Sequence, residues 1–263
     1  MAQFIGPNIK YTGGTHSTYT SESIDYGVWT FLEGTGSFTT RTSISCSILV
    51  VAGGGGTGSY HAVGGGGAGG YRASWNSEAS GGGASSQSAV TPSVGNHSIT
   101  IGAGGAGGFY NLSAASQGTA SSFAMGVGVS TVGGGGGAVG VIGGTGGPTN
   151  PGVSGVGTGG NGAPSTISGS DVTYAGGGGG AAQGIPAPQG GTGGGGNGGL
   201  YTPAGTNATA GTANLGGGGG GGTNNPGTGL AAAGGSGIVI IYETNGTWTA
   251  SGVWNMQDQY TYR

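Results

Sequence analysis

Leu215-Gly216-Gly217-Gly218-Gly219-Gly220-Gly221-Gly222 sets one apolar side chain before seven consecutive glycines. Weaker copies precede it: Val50-Val51-Ala52 before Gly53–Gly56, Ile99-Thr100-Ile101 before Gly102–Gly108, Thr131-Val132 before Gly133–Gly137, and Val172-Thr173-Tyr174-Ala175 before Gly176–Gly180. The launch points Val51, Ile101, Val132, Tyr174 and Leu215 are separated by 50, 31, 42 and 41 residues, as expected for one unit repeated beside itself. The chain reads as five launches from a common base.

A glycine run can be a flexible linker, part of a collagen-like triple helix, or a packed three-residue-per-turn helix of the polyproline II type. Collagen needs glycine at every third position and abundant proline; here the glycines are consecutive and 263 residues hold only 9 prolines. Each ordered glycine costs roughly 0.5–1 kcal/mol relative to alanine, so ordering 76 of them requires a compensating interaction. An extended three-fold helix makes no internal hydrogen bonds and points every N–H and C=O outward. Without side chains, neighbouring helices approach closely enough to satisfy those groups laterally, as buried backbone requires, with Cα–H···O contacts as a smaller gain. The runs are nearly pure glycine and are flanked by Ile48-Leu49-Val50-Val51 and Ile238-Val239-Ile240-Ile241, unlike serine-rich or charged linkers. The expected fold is mostly irregular and β: a small β-sheet base carrying a packed bundle of polyglycine II helices, with no significant α-helix.

Composition narrows the function. Lys and Arg total 4, Asp and Glu 7, and charged residues make up 4% of the chain. Between Glu78 and Asp171, and again between Asp171 and Glu243, no charged residue occurs. A nucleic-acid partner is not expected, because phosphate neutralisation needs a basic face. The single Cys46 lies in an alternating strand pattern and reads as a buried, inert thiol. Met1-Ala2-Gln3-Phe4-Ile5-Gly6-Pro7 has neither the basic n-region nor the apolar stretch of a signal peptide. Nothing approaches the ~20 apolar residues that cross a bilayer, so membrane insertion is not expected either. Export by lysis, inside a virus particle, fits such a chain.

In order along the chain, residues 1–36 read as an anchoring segment rich in aromatics, with a strand at Tyr26–Phe31 and a turn into another at Thr35–Thr39. Residues 37–242 form the glycine-rich domain with its β base. Ser43–Ile48 alternates and then becomes continuously apolar through Val51, a strand entering a buried layer; His97–Ile101 is a second such strand. By parity, outer turns fall at Thr57–Val63, Phe109–Gln117, Ala138–Ile142, Ala181–Gln189 and Thr223–Pro226. Inner crossings are expected near Tyr71–Ser80, Asn150–Ser165 and Leu200–Asn214. The β-branched run Ile238–Tyr242 is the last base strand. Residues 243–263 form an aromatic C-terminal anchoring segment.

No motif carries catalysis. Gly64–Gly70 matches G-x-G-x-x-G by composition alone, because no helix pattern or spaced acidic residue follows. No Gly-Lys-Ser/Thr phosphate loop exists. His16, His61 and His97 lack metal-ligand spacing. Asp25, Asp171 and Asp258 lie in no recognisable triad. The chain is not expected to be an enzyme, and no cofactor or metal is expected.

The outer turns are more informative. They hold Tyr60 and His61, then Phe109, Tyr110 and Asn111, then Val141, then Gln183, Ile185 and Pro186, then Asn224 and Asn225. Such residues either cap the glycine helices or form a recognition surface of variable loops on a rigid scaffold. Aromatic and amide groups suit sugar faces and hydroxyls. Trp29, Trp248, Trp254, Tyr260 and Tyr262 are either local core or an interface to a partner, where such residues are enriched.

The order Leu49-Val50-Val51-Ala52-Gly53–Gly56, Gly66-Gly67-Ala68-Gly69-Gly70-Tyr71-Arg72, Ile99-Thr100-Ile101-Gly102–Gly108 and the closing Gly234-Gly235-Ser236-Gly237-Ile238–Tyr242 resembles the glycine-rich domain of bacteriophage tail and virion proteins. It is also similar to the tail-fibre-tip adhesins of T-even-type phages, whose polyglycine II sandwich displays variable distal loops that recognise the host. The resemblance covers roughly residues 37–242; the strands before and after it match no adhesin attachment domain. It implies a non-enzymatic virion protein whose outer turns bind a bacterial surface receptor, a glycan or an outer-membrane protein, and whose other partners are virion proteins of the fibre, tail or capsid. Two alternatives stand beside it: a structural virion protein, such as a capsid decoration or fibre component, and an ice-binding protein with a flat helical face. Turns of differing length and chemistry favour the virion readings over ice.

Overall fold

Ile238–Glu243 and Cys46–Val51 are runs of β-branched and apolar residues with every position buried. Such runs form strands covered on both faces. In the computed structural model, which describes residues 3–5, 9–21, 24–59, 63–108, 114–125, 129–130, 157–183, 186–201, 205–223 and 231–243, they pair antiparallel with each other from Ile238↔Val51 to Glu243↔Cys46. The strands in chain order are β1 (Gln3–Ile5), β2 (Ile9–Thr12), β3 (Thr15–Ser21), β4 (Ile24–Phe31), β5 (Thr35–Thr40), β6 (Cys46–Val51), β7 (Tyr71–Ala73) and β8 (Gly95–Thr100). They continue with β9 (Ser122–Phe123), β10 (Val129–Ser130), β11 (Ala163–Ser165), β12 (Val172–Tyr174), β13 (Ala182–Gln183), β14 (Leu200–Tyr201) and β15 (Ile238–Glu243). The only helical element among the described residues is a 3-10 turn at Gly81–Gly83, so the fold is mostly β and irregular, as expected.

Two antiparallel sheets form the base. One has the order β1-β2-β5-β8-β9-β10, the other β3-β4-β15-β6-β7. Alternate side chains of β4, β6 and β15 (Trp29, Phe31, Ile48, Val50, Val239, Ile241) meet Ile9, Phe38, Ile99 and Phe123 in one core. The opposite side chains (Val28, Leu49, Val51, Ile238, Ile240, Tyr242) pack with Tyr71, Ile167 and Tyr174 in a second. Cys46 is fully buried in the first core.

Two findings bear on the ends. Strands from residues 1–36 pair with strands from residues 37–242: β2 with β5, and β4 with β15. The described strands of residues 1–36 are therefore part of the base sheets. Trp29 is 0% exposed, with its ring centroid 5.1 Å from that of Phe38; it is core, because its face of β4 packs with Phe31 against Phe38 and Phe123. Residues 244–263, with Trp248, Trp254, Tyr260 and Tyr262, lie outside the described residues.

Above the base, the glycine runs are joined laterally by backbone hydrogen bonds. The rule is visible in residues 52–57. Ala52 and Gly55 donate to the Gly70 and Gly67 carbonyls, Gly53 and Gly56 to those of Thr119 and Ser116, and Gly54 and Thr57 to those of Gly235 and Ala232, at 2.8–3.0 Å. Donors three residues apart therefore address the same neighbouring run.

The seven-glycine run sits at the centre. It donates from Gly219 to Gly55, from Gly218 to Gly176 and from Gly220 to Thr209, and it accepts from Gly66 at Gly219, from Gly196 at Gly218 and from Gly235 at Gly217. Six runs thus surround it: 53–58, 64–70, 175–181, 194–200, 205–212 and 231–237. The ring closes through Gly55 to Gly67, Gly178 to Gly66, Gly179 to Gly196, Thr209 to Asn197, Gly211 to Ala233 and Gly54 to Gly235. Further runs at 102–108, 114–120, 157–162 and 187–192 flank this ring.

Val51, Ile101, Tyr174 and Leu215 each precede an ascending run, as expected; Val132 lies outside the described residues. The expected crossing at Leu200–Asn214 is overturned. Leu200 ends an ascending run and donates to the Thr206 carbonyl across a distal turn. Residues 205–212 then descend, and the base turn is at 213–216. A further base turn at 192–194 starts the ascent of 194–200, with Gly193 and Gly194 at φ +94° and +90°, a conformation that favours glycine. Residues 157–162 of the other expected crossing are likewise a run, descending into β11; 150–156 lie outside the described residues.

A Cβ built on Gly220 would fall onto the Asn197 carbonyl, and one on Gly218 onto that of Gly66. Both obstructions are backbone atoms held by the lattice. Gly220→Ala is expected to destabilise by about 3 kcal/mol or more, the upper end for overpacked interiors, whereas Asn207→Ala at an exposed position should stay within about 0.5 kcal/mol. Thermal unfolding followed by circular dichroism checks this; equal midpoints for the two variants contradict the lattice.

Candidate functional site

The lattice gives the molecule two unlike ends. At one end the described runs join the sheets or the base turns at 192–194 and 213–216, and the other end carries the distal connections. There the runs are stitched by polar side chains and short bridges. Buried Thr57 donates through Oγ1 to the Gly220 carbonyl at 2.6 Å and accepts from the Ala232 N–H at 3.1 Å. Its own carbonyl accepts from Gly108 at 2.8 Å. Ser59 bridges Gly222 in parallel. The segments 60–62, 109–113 and 224–230 therefore depart from one part of the distal end.

A second group lies beside it. β13 and β14 pair in parallel, Ala182↔Leu200 and Gln183↔Tyr201. The segments 184–185 and 202–204 thus leave adjacent strands.

Of the residues expected to form the surface, Gln183 is placed by its backbone in β13 and Pro186 is exposed just beyond it. Tyr60, His61, Phe109, Tyr110, Asn111, Val141, Ile185, Asn224 and Asn225 lie outside the described residues; all but Val141 belong to segments whose described ends are distal. Leu200, Tyr201, Thr206 and Asn207 were not expected at this end. The turn signal Tyr201-Thr202-Pro203-Ala204-Gly205 between two stretches of run length marks them.

The described Lys, Arg, Asp and Glu residues belong to the opposite end. Lys10, Glu33, Arg41, Arg72, Glu78, Asp171 and Glu243 all lie in base strands or the turns joining them. Glu78 Oε1 accepts from Thr166 N at 2.9 Å and Thr166 Oγ1 at 3.1 Å, tying the 74–79 turn to the β11–β12 connection. A groove of about 740 Å³ opens where Leu32 and Glu33 face Asn214 and Ser236, also at the base side of the lattice. Among the described residues, no three His, Cys, Asp or Glu side chains are grouped to hold a metal ion, and no helix is long and apolar enough to cross a membrane.

The buried titratable groups are structural. Burial, reinforced by Glu243, pushes the Cys46 thiol far up. Burial and then the Glu78 charge raise the Tyr71 phenol. Burial raises that of Tyr174 as well, and burial alone lowers His16.

A family model for a glycine-rich domain matches residues 30–243. The chain belongs to the glycine-rich domain family. The match starts in β4 and ends with β15, so this glycine-rich domain takes in the five-stranded sheet's central strands together with the lattice. No curated protein matches the sequence.

These shifts fix a pH dependence. The unfolded chain loses thiol and phenol protons before the folded chain does, so stability is present below roughly pH 9 and is lost as pH climbs through the ordinary thiol and phenol range of about 8.5–10. For His16 the sign reverses: stability is lost as pH falls below about 6.5, because only the unfolded chain takes up the proton freely. The thermal midpoint should therefore fall on both sides of a plateau near pH 7–8. In the same plateau Cys46 should resist a thiol-specific disulfide reagent and react on unfolding in guanidinium; rapid reaction of the folded protein contradicts its burial.

Proposed function

We propose that this glycine-rich domain protein is a bacteriophage virion protein, a receptor-binding adhesin at a tail or tail-fibre tip, and that its runs are polyglycine II helices which hold the distal turns as a rigid recognition surface. The observation that carries this reading is the polarity of the lattice. The segments holding Tyr60, His61, Phe109, Tyr110, Ile185, Asn224 and Asn225 all depart from the end opposite the sheets, where a body attached through its base exposes them to a receptor. The three-residue alternation of hydrogen-bond partners in residues 52–57 supports the helix assignment. Loops carried on a scaffold held by its own backbone bonds are where binding residues are commonly found. In this reading other virion proteins hold the base, the receptor lies on the bacterial surface, and no cofactor takes part.

Fluorescently labelled protein is expected to stain intact cells of a restricted set of bacteria. A variant with Tyr60, His61, Phe109 and Tyr110 all changed to alanine should keep its thermal midpoint within about 2 °C and lose at least tenfold in staining. A folded protein that stains no candidate host shifts the reading to a structural virion component, whose mark is co-purification with particles at many copies.

A further inference from the structure

We propose that Asn161-Gly162 and Asn197-Gly198 are latent self-modification sites, whose deamidation is silent while the lattice is closed and starts when the flanking run 187–192 lifts away. This holds whatever the distal turns bind. In an Asn-Gly pair the missing Cβ leaves the glycine nitrogen unshielded and gives the backbone the freedom to close a five-membered ring onto the asparagine side chain.

Both pairs are in the lattice for structural reasons. Two N–H groups of run 187–192 are met by asparagine side chains and not by carbonyls. Asn197 Oδ1 accepts from Gly190 at 2.9 Å, and Asn161 Oδ1 accepts from Thr192 at 3.1 Å. The residue after each asparagine must be glycine, because a Cβ at 198 would fall onto the Gly180 carbonyl and one at 162 onto that of Tyr174. An amide required at one position and no side chain tolerated at the next give the reactive pair twice.

The same contacts keep the reacting atoms apart. Gly198 donates its N–H to the Pro188 carbonyl at 2.9 Å, and Gly162 donates to that of Thr192 at 2.8 Å. Both acceptors belong to run 187–192, so each pair grips that run twice, through Oδ1 and through the glycine nitrogen. Reaction needs the grip undone: water or hydroxide takes the glycine amide proton, the nitrogen bonds to Cγ, and the Cγ–Nδ2 bond breaks to release ammonia. Water then opens the succinimide at either carbonyl, leaving aspartate or, with the main chain routed through the side chain, isoaspartate. In the closed lattice that amide proton is held by a carbonyl, and Gly198 is buried. Asn197 is fixed further by its own backbone, which donates to Thr209 Oγ1 at 2.7 Å and accepts from Thr209 N at 2.9 Å. Asn161 is exposed and Gly162 half-buried, so that pair is the less protected. Peripheral elements open at lower free energy than the core. Isoaspartate lengthens the main chain by one atom and displaces the glycine N–H from its acceptor, so a seam that has reacted does not re-close.

The test follows both sites in the full chain by elastase digestion and peptide mass spectrometry, during incubation at about pH 8, inside the stable plateau, with and without guanidinium. Conversion at Asn197 is expected to be at least tenfold slower in the native chain, since only the open fraction reacts. A smaller difference, or no conversion of either site in guanidinium, overturns the proposal. Asn161→Ala removes one grip on the run from an exposed position and should speed native conversion at Asn197 at least threefold; an unchanged rate overturns the latch by run 187–192. The comparison of native and unfolded wild-type chain stands even if that variant fails to fold. Chains converted in guanidinium and diluted back should show a lowered thermal midpoint, and full recovery overturns the one-way character.

Discussion

The structure depends on one interaction, the lateral backbone hydrogen bond between extended runs that carry no side chain at the point of contact. Such a bond contributes only about 0.5–1.5 kcal/mol net, yet leaving the same groups buried and unpaired costs more. The central run 216–222 is bonded on all sides, and its Gly217, Gly218, Gly219, Gly220 and Gly221 have a neighbouring carbonyl where a Cβ would stand. Pure glycine is therefore required there by contact geometry.

The same geometry explains which parts were legible in the sequence. Launch strands announced themselves, since Cys46–Val51 changes from alternating to continuously apolar where the sheet becomes covered on both faces. Peripheral runs did not. In residues 205–212 only Gly205, Ala208 and Gly211 are half-buried, Gly211 against the Gly217 carbonyl, while Thr206, Asn207, Thr209, Ala210 and Thr212 are exposed. In 114–120 Gly118 is buried against Gly53. A run at the rim needs a small residue at one position in three, so its composition resembles an ordinary polar loop and 200–214 reads as a crossing. The distal position of Leu200 and Tyr201 was hidden for that reason. The burial of Trp29 was obscured differently: an aromatic strand near a chain end has the composition of both a core and an interface.

A lattice with open edges would invite further chains, as an unprotected sheet edge does. Among the described residues, side chains on the outer runs meet several of the remaining backbone donors. Thr119 Oγ1 and Ser116 Oγ accept from the N–H groups of Ala103 and Ala106 at 2.7 and 2.8 Å, and Thr209 Oγ1 accepts from Asn197 at 2.7 Å. Asn197 and Asn161 Oδ1 accept from Gly190 and Thr192 at 2.9 and 3.1 Å. Hydroxyls and amides on these outer runs thus take up backbone donors that neighbouring carbonyls leave unmet.

The position of β15 bears on how the chain acquires this form. It lies between β4 and β6, joining Phe31 to Val239 and Val28 to Tyr242, partners about two hundred residues apart in sequence. The run at the lattice centre, 216–222, likewise bonds to runs as far away in sequence as 53–58. The middle members of the sheet and of the bundle are thus both joined to partners more than a hundred and fifty residues away, a native topology of high contact order, for which folding is slow.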